Sequence, residues 1–326
     1  MTPANGPEIG VLLAAASLDY WLADPQTWLH PVQVIGWAIQ SLSQLFLRWF
    51  LRPGSRRLAG VVLGVVIIGG SGGLSWLLLW TLQQQSPLLA LFLQVVGLAS
   101  CFAGRSLARA ARAVLSALEQ EDLALARQRL SYFVGRDTEQ LTEVEILRAT
   151  LESIAENTVD GATAPLFYAI LGTCLASIGP LPLALAYKAA STLDSMVGYR
   201  RQPYTDLGWF SARLEDGLTW LPCRLTVLTL ALWCGRPRPV LALCYRDAPQ
   251  DPSPNSGWSE CVYAAILKVQ LGGVNTYQGI SKEKPLLGDP VDPPSGEKVR
   301  QALSLSRTCL LLWLGLATLA LLSPIY

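Results

Sequence analysis

The feature that most limits how this chain can fold is a set of long apolar runs. Residues 58–82 read LAGVVLGVVIIGGSGGLSWLLLWTL, and residues 302–322 read ALSLSRTCLLLWLGLATLALL. About 20 consecutive apolar residues are enough to cross the hydrocarbon of a bilayer as a helix. Residues 87–103 form a third run, joined to the first by the short, uncharged QQQS. Hydrophobic residues make up 51% of the chain and charged residues 15%, with a mean hydropathy of +0.35. Soluble domains carry roughly 25% charged residues, so the expected fold class is all-α, a polytopic integral membrane protein.

Charge at the ends of the runs orients them. Arg48, Arg52, Arg56 and Arg57 precede the first run, and Arg105, Arg109 and Arg112 follow the third. Cytoplasmic loops carry the excess of Lys and Arg. Residues 58–103 are therefore expected to form a transmembrane hairpin with both flanks in the cytoplasm. Residues 9–23 are apolar but short and contain Asp19, so they either span or pack as a helix. Net charge is +1, and no basic stripe with interleaved aromatics occurs, so no nucleic-acid partner is expected. The seven cysteines are scattered without a CxxC pair and read as reduced packing thiols. The start, MTPANGPEIG, has no basic region, so a removable signal peptide is not expected.

Residues 105–156 alternate charges with Leu and Ala and read as soluble helix. Thr138 or Thr142 can cap, with Glu145 three residues after Thr142 completing a capping-box pattern, and Leu141, Ile146, Leu147 and Ile154 supply an apolar face. Residues 164–190 are long enough to span, yet SIGPLP (177–182) interrupts them. Proline costs a helix interior about 3 kcal/mol. Two half-length helices in a re-entrant hairpin are favoured over a straight span, which would put Asp160 and Asp194 on opposite sides. Residues 218–233 form another apolar run, broken by Pro222 and Arg224 and expected to be partial, interfacial or bent back. Residues 235–300, rich in Pro and Gly, suit ordered loops and turns. The expected organisation is one membrane domain over 1–326. It comprises the hairpin at 58–103, a cytoplasmic helical segment at 104–163 and a re-entrant hairpin with polar site segment at 164–217. A loop segment at 235–300 and a C-terminal transmembrane helix at 302–324 complete it.

Chemistry concentrates in ESIAENTVDG, residues 152–161. Glu152 and Glu156 share a helix face, where like charges repel unless a cation sits nearby. The plainer alternative is a solvated face beside Arg148. Asp160-Gly161 is a turn signal, which places these acids at a helix-to-loop junction. At the other mouth of the expected hairpin lie Lys188, Ser191, Asp194, Arg200, Arg201, Arg213, Glu215 and Asp216. Facing carboxylates can hold Mg²⁺ together with phosphate oxygens, and Lys and Arg can stabilise a transferring phosphoryl group. The same Lys and Arg residues also suit simple positive-inside anchors. His30, the only histidine, precedes Pro31 and more often marks a turn or helix start. No Walker loop and no GxGxxG motif occurs, and the glycines at 69–73 read as helix-packing positions. DPSPNSGWSE (251–260) and LGGVNTYQG (271–279) suggest a second binding wall.

Several long motifs, in order, resemble the CobD/CbiB family of adenosylcobinamide-phosphate synthases. They are LDYWLADPQTWLHPVQVIGW, YFVGRDTEQLTEVEILRATLESIAENTVDGATAPLFYAILG, AYKAASTLDSMVGYR, FSARLEDGLTWLPCRLT, DAPQDPSPNSGW and LGGVNTYQG. The resemblance implies an integral membrane ligase of vitamin B12 biosynthesis. It would join a propionate of adenosylcobyric acid to aminopropanol phosphate or a related amino-alcohol phosphate, with ATP as co-substrate and Mg²⁺ as metal. The expected catalytic residues are Glu156, Asp160, Asp194 and Lys188, with Glu156, Asp160 and Asp194 as metal ligands. Arg136, Asn157, Arg200, Arg213, Asp251, Asn255 and His30 are the expected substrate- and phosphate-binding residues. The implied setting is the inner (plasma) membrane with the active face cytoplasmic. Membrane lipid, other membrane enzymes of cobalamin assembly and a second copy of the chain are the implied partners. The chain departs from the family pattern at Gln33 (usually basic), Ser191 (usually Asn) and Asp251 (usually His). Two other classes compete: a non-catalytic, AmpE-like membrane sensor, and a transporter, which the apolar character of SIGPLP disfavours.

Overall fold

Proline decides where many helices of this protein begin. Pro31, Pro53, Pro87, Pro180 and Pro237 each stand in the first turn of a helix. There the missing N–H breaks no hydrogen bond, and the fixed φ suits the helix. The computed structural model describes residues 6–22, 30–175, 177–199 and 202–322. The chain starts with α1 (Gly6–Leu22), α2 (Pro31–Trp49), α3 (Pro53–Gly64), a π-helical turn (Val65–Gly69), α4 (Gly70–Gln85) and α5 (Pro87–Ala99). Next come α6 (Gly104–Glu119), α7 (Leu123–Ser131), α8 (Glu143–Thr158), a second π-helical turn (Val159–Thr163), α9 (Ala164–Cys174) and α10 (Pro180–Val197). The last part holds α11 (Tyr204–Leu207), α12 (Trp209–Trp233), α13 (Pro237–Asp247), a 3-10 turn (Ala248–Gln250) and α14 (Ser256–Leu267). It ends with β1 (Leu271–Tyr277), β2 (Ile280–Leu287) and α15 (Gly296–Leu322).

Among the described residues, three helical stretches are long and apolar enough to cross a membrane: Pro53–Gln85, Pro87–Glu119 and Gly296–Leu322. They carry outward-facing Leu58, Val65, Leu74, Leu88, Phe92 and Leu319, as lipid-facing helices do. The protein is a helical membrane protein, as the apolar runs predict. The chain forms two compact units. The first comprises Met1–Ala103, Ala164–Thr219 and Trp313–Tyr326, and the second Gly104–Thr163 and Trp220–Leu312.

In the first unit, α10 packs against α2, α4, α5 and α9. Its Ala189, Leu193 and Val197 join Ile35, Ile39, Leu63, Ile67 and Leu207 in a buried core. The break at SIGPLP is real. Tyr168 of α9 stacks on Tyr187 of α10 with ring centroids 4.9 Å apart. A Cβ on Gly172 would lie 2.3 Å from the Gly179 carbonyl oxygen. The two helices therefore fold back on each other, and α9, with 11 residues, is only about 16 Å long. The glycines at 69–73 behave less uniformly than expected. Gly72 lies against Pro182 and Ala186, whereas nothing stands within 4 Å of a Cβ on Gly69, Gly70 or Gly73. Helix α1 does pack as a helix, against α5, with Val11, Leu12 and Ala15 buried.

In the second unit, α6, α7 and α8 enclose Val114, Ala117, Ala126, Leu130, Ile146 and Ala149. The capping box forms as predicted: Glu145 accepts from the Thr142 backbone N–H at 2.7 Å, and the Thr142 side chain accepts from Glu145 N. Two expectations fail here. Asp160-Gly161 makes no turn, because α8 passes into a π-helical turn and the helix continues. The wider i→i+5 bonding absorbs the extra residue, so the glycine provides no stop signal. Residues 235–300 are not mainly loop. They contain α13, α14 and the antiparallel pair β1–β2. Proline starts α13, and glycines with φ near +87° at Gly272 and Gly273 shape a bulge in the hairpin.

Candidate active site

A buried carboxylate needs cations and donors around it, or it loses its charge. Glu152 of α8 is 2% exposed and has both. Arg136 donates to Oε2, Arg148 donates to Oε1 at 3.3 Å, and the Gly272 backbone N–H donates to Oε1 at 2.8 Å. Both guanidiniums also donate to Asn275 Oδ1, Arg136 at 2.9 Å and Arg148 at 3.1 Å. Arg148 further donates to the Gly272 carbonyl. The hairpin bulge thus aims one N–H at Glu152 and one C=O at Arg148. The plainer reading of Glu152 as a solvated residue fails because the side chain is buried: Arg148 does stand one helical turn before it, but the pair is enclosed by Arg136 and by Gly272, 120 residues away.

A second carboxylate lies alongside. Glu260 of α14 is fully buried, and Lys284 of β2 donates to its Oε1. Lys284 Nζ also lies 3.9 Å from Asp251 Oδ2. Burial pushes the Glu260 carboxyl up to about 8; Lys284 opposes this, and the negative charges of Glu152 and Glu156 add to it. The Lys284 ammonium is held protonated above its usual range: burial opposes it, but Glu260, Glu156 and Glu152 outweigh that cost. Glu156 itself is exposed on α8. The cation that the paired acids called for is present, and the protein supplies it.

The other polar residues of this unit are partly engaged. Asn157 donates to Ser153 O at 2.9 Å and Ser153 Oγ at 3.2 Å, back along its own helix. Asp251 Oδ1 accepts from Ser253 N at 2.8 Å and Ser256 Oγ at 3.2 Å. Buried Asn255 accepts from Arg224 at 3.3 Å, and Arg224 lies over the Trp258 and Trp220 rings at 4.4 and 5.3 Å. Cys223 donates to Asn255 O at 3.4 Å. Its thiol is pushed up by burial, and the Asp160 charge contributes. Asp160 and Asn255 therefore both neighbour Cys223, although 95 residues separate them in sequence.

Lys188, Asp194, Arg213 and His30 belong to the first unit, and Arg200 lies outside the described residues. Lys188 sits midway along α10 and Asp194 in its last turn, where the Gly198 N–H donates to the Asp194 carbonyl at 2.7 Å. An acid at a helix C-terminus opposes the helix dipole, so helix stability does not explain its position. Glu215 accepts from Thr219, whose hydroxyl also meets Tyr187 OH at 2.9 Å. Arg213 is exposed. His30 caps α2: its Nδ1 accepts from Val32 N at 3.3 Å, and Gln33 accepts from His30 N at 3.3 Å. The helix-start reading of His30 therefore has a structural basis, and Gln33 completes the cap.

Among the described residues, no group of three or more His, Cys, Asp or Glu side chains is arranged to hold a metal ion. The donors present are hard oxygens, which suit Mg²⁺, and Mg²⁺ commonly takes one or two carboxylates plus substrate phosphates. Among the same residues, three buried side-chain atoms lack a hydrogen-bond partner: Asp251 Oδ2, Glu260 Oε2 and Asn275 Nδ2. Glu260, Lys284, Asn275 and Arg224 were not among the expected site residues. Glu260 and Asn275 lie in the two stretches expected to form a second binding wall, and Glu260 is a lone carboxylate in the otherwise apolar WSECVYAAIL.

No solved structure matches this chain. A sequence family described as CobD/Cbib protein matches residues 12–306. The cobalamin biosynthesis protein CobD of Synechocystis is 58% identical over 317 residues, covering 96% of this chain and 93% of that protein. The cobalamin biosynthesis protein CbiB of Salmonella arizonae is 42% identical over 308 residues, covering 93% and 92%. The CobD protein of Halalkalibacterium halodurans is 42% identical over 284 residues, covering 85% of each. With a match of this length and identity, the chain belongs to the CobD/CbiB family.

Proposed function

We propose that this chain acts in cobalamin biosynthesis, the process named in its relatives, as a membrane-bound, ATP- and Mg²⁺-dependent ligase. It forms the amide between a propionate carboxylate of adenosylcobyric acid and the amine of (R)-1-aminopropan-2-ol phosphate or a close relative. The product is adenosylcobinamide phosphate. The observation that supports this reading is the family match over residues 12–306. The charge cluster of the second unit adds chemistry of the right kind.

Amide formation from a carboxylate requires one oxygen to become a leaving group, and bound ATP supplies the phosphoryl group for this. Glu156 and Asp160 offer exposed and half-buried carboxylate oxygens for Mg²⁺. Arg136 and Arg148 are committed to Glu152 and Asn275, so they act as positioning residues that hold α8 against the β-hairpin. Arg224 and Asn255 form a second polar wall, fixed by the proline-rich DPSPN loop. A reaction at the cytoplasmic face of the plasma membrane is in keeping with the arginines that flank the 58–103 hairpin.

The test is product formation by purified protein with adenosylcobyric acid, the amino-alcohol phosphate and MgATP, read by mass spectrometry. Amide product should appear only when all three are present, together with ATP consumption. No product, with ligand binding alone, would establish a sensor instead.

A further inference from the structure

The partnerless atoms form a pattern. Asp251 Oδ2 and Glu260 Oε2 are acceptors without donors, and both carboxyls face the same Lys284 Nζ. Asn275 is held by two guanidiniums at its Oδ1, so its orientation is fixed. Its NH₂ is a donor without an acceptor. Buried polar groups are normally satisfied, and leaving these three unpaired costs free energy unless a ligand completes them. The missing ligand must bring donors for two carboxylate oxygens and an acceptor for one amide. A primary ammonium carried on a small polar molecule has both.

We propose that Asp251 and Glu260 form the subsite for the primary ammonium of the amine substrate, with Glu260 Oε2 removing one of its protons. The proposal rests on the ligase reading above and deepens it. One N–H bond of the ammonium breaks and one O–H bond forms on Glu260, leaving a neutral amine. The freed lone pair attacks the activated carboxyl of the corrinoid; the C–N bond forms, the C–O bond to the phosphate leaving group breaks, and the second proton of the nitrogen passes to the departing phosphate oxygen, leaving the neutral amide. Lys284, at 23% the most exposed of the buried cluster, keeps Oε1 occupied and leaves Oε2 for the substrate. Asn275 Nδ2 donates to an oxygen of the same molecule.

The charges around Glu260 suit the task. Lys284 comes from β2, Glu152 and Glu156 from α8, Asp251 from the loop before α14 and Arg136 from the loop before α8. On α13, Arg246 and Asp247 are paired with each other. A base is most effective when its affinity for the proton lies near the working pH, and burial brings the Glu260 carboxyl to about 8.

Glu260→Gln tests this, assayed for amide product across pH, with Asp251→Asn assayed for binding. At pH 7 the Gln variant should lose roughly a hundredfold or more, the usual contribution of a positioned base. Between pH 8 and 9.5 its rate should climb about tenfold per pH unit, as free amine accumulates, while the wild type stays nearly flat. By calorimetry, the wild type should prefer aminopropanol phosphate at least tenfold over the same phosphate ester lacking the amine, and Asp251→Asn should abolish that preference. Parallel pH profiles, a retained preference, or a change only in Mg²⁺ dependence would overturn the proposal. If Glu260→Gln does not accumulate, the Asp251→Asn binding arm decides alone. A wild type that makes no amide refutes the ligase reading instead, so the two failures are distinguishable.

Discussion

The backbone N–H of Gly272 donates to Glu152 Oε1 at 2.8 Å, joining α8 to a hairpin bulge 120 residues further along the chain. Gly272 has φ +87°, and a Cβ there would stand 1.9 Å from the Pro285 carbonyl oxygen. Gly272→Ala therefore forces the bulge apart and withdraws the N–H from Glu152. Thermal unfolding in detergent should show a clear drop in midpoint, and amide formation should fall with it. An unchanged midpoint would mean that the bulge does not hold α8.

Glu152→Ala should be still more damaging. It leaves Arg136 and Arg148, only 8% and 13% exposed, facing an empty space. Breaking one side of a buried ion pair costs about 3–5 kcal/mol. Denaturant titration of the purified protein measures it, and a loss below about 1 kcal/mol would contradict burial of the pair.

Thr142→Ala should cost about 1 kcal/mol through the lost cap and should also alter the response to acid. The Thr142 N–H and hydroxyl hold the Glu145 carboxyl below its usual 4.5. Such a group contributes stability above its unfolded value, and that contribution is lost as pH falls through the lower folded value. The wild type should therefore lose stability more steeply below pH 4.5 than Thr142→Ala. Parallel acid-unfolding curves would count against the cap.

Asp160→Ala and Asp194→Ala should each abolish amide formation while leaving folded protein in the membrane. Near-normal turnover in either variant removes that residue from the catalytic set.

His30→Asn separates capping from chemistry, since Asn is among the best N-cap residues. With His30 acting as the cap of α2, the variant should keep its melting midpoint and its turnover. A tenfold or greater loss of turnover at unchanged stability would place His30 among the substrate-binding residues.

Local rules carried far along this chain. Apolar runs near the hydrocarbon thickness marked the membrane helices, and Thr142 with Glu145 marked the cap of α8. SIGPLP marked the fold-back of α9 on α10, and the ordered motifs marked the family. In each case the cause lies within a few residues of its effect, so a linear reading reaches it. The charge cluster was different. Glu152 finds Arg136 16 residues away but meets Gly272 across 120; Glu260 meets Lys284 only because β2 lies beside α14. A carboxylate in an apolar helix states a need for a partner without naming it. Only the folded chain, by bringing remote charges within hydrogen-bond reach in a medium where each must be neutralised, decided which residues answer that need and which buried oxygens are left without a partner.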